Sequence, residues 1–106
     1  MSSNNQNSPS AATPIWTALQ LGTSMGYVQM TAITTAKGLT SIPAGASRAL
    51  VVAEAQALRW ADDGVTVPTA SVGMLLPVNQ PTIFTNLAGL QVIAAASGTV
   101  LNITYY

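Results

Sequence analysis

A chain of 106 residues with six charged side chains and a net charge of zero lacks the basic field that a phosphate backbone or an anionic lipid surface requires, which makes nucleic acid and membrane poor partners. Cysteine and histidine are both absent, which removes disulfides, thiolate nucleophiles, the usual zinc and haem ligands and the commonest acid–base catalyst near neutral pH. Ordinary soluble domains carry charge on about a quarter of their residues to stay dispersed, so a surface this poor in charge is expected to be covered by copies of itself or by a larger partner.

Residues 1–14 are Ser, Asn, Gln, Ala, Thr and Pro with a single Met. That composition cannot repay the entropy of ordering, so a flexible N-terminal arm is expected, able to order along a neighbouring subunit through Met1, Pro9 or Pro14. The arm has neither the basic nor the apolar part of a secretory signal. No apolar run approaches the roughly 20 residues that span a bilayer. The expected compartment is therefore the cytoplasm, or a particle assembled there.

From residue 15 the pattern changes to short apolar stretches broken by turn residues, which predicts one all-β domain over 15–106, an antiparallel β-sandwich of jelly-roll-like form. Strands are expected at 15–21, 27–34, 49–55, 57–61, 71–75, 82–85, 91–95 and 100–106. Breaks fall at 22–26, 42–45, 62–64, 67–68, 76–77, 80–81 and 97–98, where Gly, Pro, Asp or Ser supplies a fixed φ, a positive φ or a local hydrogen bond.

The stretch 44–61 is the ambiguous one, because its Ala, Leu, Glu, Gln and Arg residues all suit a helix. Leu50, Val51 and Val52 favour the pleated surface, and Asp62-Asp63-Gly64 closes the stretch with a turn able to return a hairpin. Strand is the reading. The last stretch alternates most cleanly. Leu101, Ile103 and Tyr105 point one way and Asn102, Thr104 and Tyr106 the other, so a strand with one wet and one dry face is expected to the end of the sequence.

Acid–base catalysis needs ionisable groups held around a substrate. The carboxylates here are Glu54, Asp62 and Asp63. Adjacent aspartates before a glycine have the composition of a solvated turn, and Glu54, among alanines and valines, is expected to pair with Arg48 or Arg59. No enzyme is expected, and no cofactor. A spaced Asp loop for calcium and a glycine-rich phosphate loop are both missing. Asn102-Ile103-Thr104 matches a glycosylation sequon, read as chance within a strand.

Trp16 and Trp60 are expected to be half-buried in the core, with an interface as the alternative. The most interface-like pair is Arg59 with Trp60, a planar fork beside a flat apolar plate just before Asp62 and Asp63. Arg59, Trp60, Asp62, Asp63, Trp16, Pro9 and Pro14 are the candidate contact residues.

Four motifs follow one another from Gly38 onward: Ile-Pro-Ala-Gly-Ala at 42–46; Glu-Ala-Gln-Ala-Leu-Arg-Trp at 54–60 with Asp-Asp-Gly at 62–64; Pro-Thr-Ala-Ser-Val-Gly-Met at 68–74; and Leu-Asn-Ile-Thr-Tyr-Tyr at 101–106. In that order they resemble a family of small virion structural proteins of tailed bacteriophages. The likeness covers about two-thirds of the chain and leaves the residues before Gly38 outside it. It implies a β-sandwich protein of the virion, a capsid decoration or cement protein that binds the major capsid protein on the capsid exterior as a homo-oligomer, with a trimer favoured.

Two other readings stand beside it. One is a head-to-tail or tail structural component, distinguished by copy number. The other is a glycan-binding module for receptor recognition at a fibre or tail tip, its site formed by Trp16, Trp60, Tyr27 and the Asp62-Asp63-Gly64 loop.

Overall fold

The computed structural model describes residues 21–106. The expected arm, the strand at 15–21 except for Leu21, and the candidate residues Pro9, Pro14 and Trp16 lie outside the described residues. Among the described residues seven strands form: β1 (Gly26–Met30), β2 (Ala49–Glu54), β3 (Leu58–Ala61), β4 (Met74–Leu76), β5 (Thr82–Phe84), β6 (Gln91–Ala94) and β7 (Val100–Tyr105). They make two antiparallel sheets, a four-stranded one in the order β1-β7-β2-β5 and a three-stranded one in the order β4-β3-β6. Among the described residues there is no helix, and so none long and apolar enough to cross a membrane.

Alternation in the sequence decides which residues face inward. Along β7, Leu101, Ile103 and Tyr105 are buried while Asn102 and Thr104 are not, and β2 buries Ala49, Val51 and Ala53 in the same rhythm. The register sets Tyr105 opposite Ala49, Ile103 opposite Val51 and Leu101 opposite Ala53, so the largest side chains meet the smallest. β7 lies between β1 and β2, and full burial of Leu101 and Ile103 contributes about 1.5–3 kcal/mol each. Leu58, Leu76 and Val92 of the second sheet join the same core, with Trp60 and Ala94 packed against it.

The stretch 44–61 is extended, as its branched residues predict. Its two strands belong to different sheets, because the chain turns sharply after β2: Ala55 takes a left-handed φ of 73°, and the amide of Gln56 donates to the carbonyl of Glu54 at 2.9 Å.

Two predicted strands differ in extent. The strand expected at 27–34 stops at Met30, since Ala32 turns into the left-handed region at φ 53°. Beyond it the chain runs irregularly along the margin of β6, where Lys37 and Val92 exchange backbone hydrogen bonds of 3.0 and 2.8 Å and the amide of Ala94 donates to the carbonyl of Ile33. The strand expected at 71–75 is displaced to Met74–Leu76. Thr69 and Val72 close a turn by reciprocal backbone bonds, and the Thr69 hydroxyl accepts from the amides of Ser71 and Val72. β3 and β4 are the predicted hairpin partners, joined by a longer connection than an Asp-Asp-Gly turn alone.

Candidate functional site

The connection from β3 to β4 carries most of the candidate residues. Asp63 organises its start by accepting from the amide of Val65 at 3.0 Å, the amide of Thr66 at 2.7 Å and the hydroxyl of Thr66 at 2.6 Å. These bonds, the Thr66 hydroxyl first, lower its pKa from 3.8 to about 2, so the carboxylate is ionised at any ordinary pH. Further along, Pro68 is buried and Gly73 adopts a φ of 126°. A Cβ at Gly73 would lie 3.1 Å from the carbonyl oxygen of Trp60 and 3.2 Å from Pro68. Only glycine lets the connection close down on β3 at this point.

The result is a shallow cleft of about 260 Å³ lined by Trp60, Ala61, Asp62, Asp63, Thr66, Gly73 and Met74. Trp60 is half-buried, its ring meeting Phe84 of the other sheet edge to face. Asp62 is tied from behind: its carbonyl accepts from the Asn86 side-chain amide at 2.6 Å, and the Asn86 side-chain oxygen accepts from the amide of Gly89 at 3.3 Å. Arg59 points to the opposite face of β3 from Trp60. It donates from Nη1 to the carbonyl of Gly73 at 3.2 Å, while its buried Nε has no partner.

Trp60, Asp62 and Asp63 are thus brought to one cleft, and Arg59 holds the backbone of Gly73 from outside it. Glu54, expected to pair with an arginine, lies elsewhere. It is exposed at the end of β2 and accepts from the Asn102 side-chain amide at 3.0 Å. Arg48 donates to the carbonyl of Leu21 at 3.1 Å. Asn102, the sequon residue, also accepts from the Tyr27 hydroxyl and from Gln29, so its amide is the centre of a polar row across three strands.

Sequence reasoning missed the apolar residues around the cleft. Val65 is 83 % exposed, Val67 61 %, Val72 54 %, Met74 59 % and Leu75 51 %. Thr66, between two of these valines, and Met74 both line the cleft. The available signal was a run of valines inside a segment otherwise rich in turn residues. A second, larger hollow of about 540 Å³ lies between 31–34 and 94–100, lined by Ala, Thr, Ser and Gly with Ile33 and Val100. It offers no charged group.

Chemically the cleft provides an aromatic wall, two carboxylates, a hydroxyl held by one of them and a thioether, a set suited to contact. Among the described residues no cluster of three or more metal-ligating side chains forms. Compared with known protein families, curated proteins and solved structures, the chain matches none.

Proposed function

We propose that this chain is a non-enzymatic structural protein of a tailed-phage particle, a homo-oligomeric capsid decoration protein that binds the major capsid protein from outside and stabilises the lattice. The observation that carries the reading is the surface: five large apolar side chains stand exposed on β4 and the connection before it, in a chain with only six charges. Exposed apolar side chains of this size and number are stabilised by being covered. A repeated lattice offers cover at many equivalent places, and repetition makes modest contacts strong in total.

The fold is read as a jelly-roll β-sandwich. In that arrangement eight strands numbered along the chain lie as 1-8-3-6 in one sheet and 2-7-4-5 in the other. The orders β1-β7-β2-β5 and β6-β3-β4 correspond to it strand for strand if the second strand is reduced to the single bridge of Lys37 on β6. This correspondence supports the reading, as does the core that the two sheets share.

The residues of the phage-like motifs hold backbone. In Ile-Pro-Ala-Gly-Ala the amide of Ala46 donates to the carbonyl of Pro43 and Gly45 sits at φ 88°; Asp63 caps its turn; Pro68 and Gly73 close the connection; the last motif is the strand inside the larger sheet. Roles of that kind suit a scaffold. Quantitative mass spectrometry of purified particles tests the proposal: hundreds of copies per particle indicate the shell, about three to a dozen indicate the neck or tail, as the symmetry of those sites dictates, and absence overturns it.

The cleft favours one other reading, because jelly rolls also serve as lectin domains and Trp60 stands beside two carboxylates. Protection of Trp60 fluorescence from quenching by a soluble glycan at micromolar concentration would move the assignment to sugar recognition.

A further inference from the structure

One row of paired residues crosses the three-stranded sheet from margin to margin. Met74 on β4 is paired with Trp60 on β3, Trp60 with Val92 on β6, and Val92 with Lys37. With neighbouring strands about 4.8 Å apart, the two ends of the row are separated by roughly 14 Å. The ends differ in charge. On the β4 side, Asp62 and Asp63, which follow β3, line one cleft with Met74 of β4, and the connection adds exposed apolar residues. At the other end stands the exposed Lys37. Arg48 and Arg59 are committed to backbone carbonyls, which leaves Lys37 as the one cation whose side chain makes no hydrogen bond among the described residues.

We propose that copies of this chain join head to tail through these two margins, β4 and the 62–73 connection of one copy lying against the Lys37 margin of the next, with Asp62 and Asp63 facing Lys37 of the neighbouring copy. The head-to-tail arrangement brings opposite charges toward each other, which favours and orients it. Among the described residues no strand covers the outer edge of β4, and it has none of the usual charged guards: no side chain from Gly64 to Tyr106 carries a charge. A contact between unlike patches closes into a ring when its rotation allows. The inference rests on the assembly reading for its premise that a copy covers the patch.

Light scattering on the full chain after size-exclusion chromatography, over a range of concentrations, tests the contact. The wild type is expected to form a closed oligomer. Leu75→Lys, at an exposed edge position, is expected to leave a folded monomer by circular dichroism. Lys37→Glu and Asp62→Lys are each expected to weaken association, by up to about fivefold for an exposed pair, and the double reversal is expected to restore it to within about twofold. Asp62 is chosen because Asp63 holds its turn. Should Leu75→Lys fail to fold, Val65→Ser and the two reversals decide. A monomeric wild type, an oligomer indifferent to the single reversals, or a double reversal that does not recover overturns the proposal. An oligomer with these responses but no copies on particles upholds the contact and sinks the decoration reading, and monomers abundant on particles do the opposite.

Discussion

Trp60 and Phe84 meet edge to face across the two sheets, with ring centroids 4.9 Å apart and planes at 77°. The contact joins β3 to β5, strands that share no hydrogen-bonded ladder, and places one wall of the cleft directly on the core. An aromatic pair in this geometry is worth about 0.5–1.5 kcal/mol beyond the area it buries. Trp60→Ala is therefore expected to cost about 3 kcal/mol in urea denaturation, the low end for a Trp truncation because the ring is only half-buried. Trp60→Phe should retain most of that stability. A Trp60→Ala variant as stable as the parent would show that the ring serves only the surface.

Gly89 is wedged under Asn86. A Cβ there would sit 2.5 Å from the Asn86 side-chain nitrogen and 3.0 Å from the carbonyl oxygen of Asp62. Gly89→Ala is expected to cost about 1–3 kcal/mol, as overpacking does, because Asn86 must release Asp62. In the background of Asn86→Ala the same change should cost clearly less, a non-additivity that a double-mutant cycle in denaturant measures.

Asp63 gives the connection a pH dependence of known sign. Its pKa is lowered on folding, from 3.8 to about 2, so the stability it contributes is fully present above pH 4 and is lost as pH falls through 2. The thermal midpoint should decline over that window. Asp63→Asn should lower the midpoint at pH 7 and flatten the decline, and a parallel profile for the two proteins would refute the assignment.

Truncation after Gly98 removes β7, the strand that pairs with both β1 and β2, and is expected to abolish soluble folded protein. A milder probe is Tyr105→Phe. The Tyr105 hydroxyl donates to the carbonyl of Thr40, and losing that bond should cost about 0.5–1.5 kcal/mol by chemical denaturation. Burial raises the Tyr105 pKa above 10.0. The stability that follows is present below pH 10 and lost as pH climbs past it, so the phenylalanine variant should resist alkaline unfolding better.

Strand positions were legible wherever alternation with a period of two met a turn residue, as in β2, β6 and β7. Composition misled where it spoke of single residues. Ala32 gives no sign in the sequence of its positive φ, yet it ends β1 early; Pro68 reads as a surface break and is buried. For the site, adjacency in sequence was enough to bring Asp62 and Asp63 to Trp60. Pairing Glu54 with an arginine failed for a geometric reason. The turn at Ala55 sends the chain to the other sheet, which leaves Glu54 on the outer face of β2 beside Asn102. The opposition of Lys37 and Met74 across the sheet depends on which strands are neighbours, and no local pattern encodes it.

The place of β7 also bears on biogenesis. Its partners β1 and β2 are made long before it, but neither reaches the other within the sheet except through Val100–Tyr105. While the nascent chain is still threaded through the ribosome, those earlier strands have open edges and no centre to close upon. Pairings this distant along the chain form slowly and leave apolar edges exposed meanwhile. Folding of the larger sheet must therefore wait until residue 105 has cleared the exit tunnel, and until then the unpaired strands are open to association with other chains.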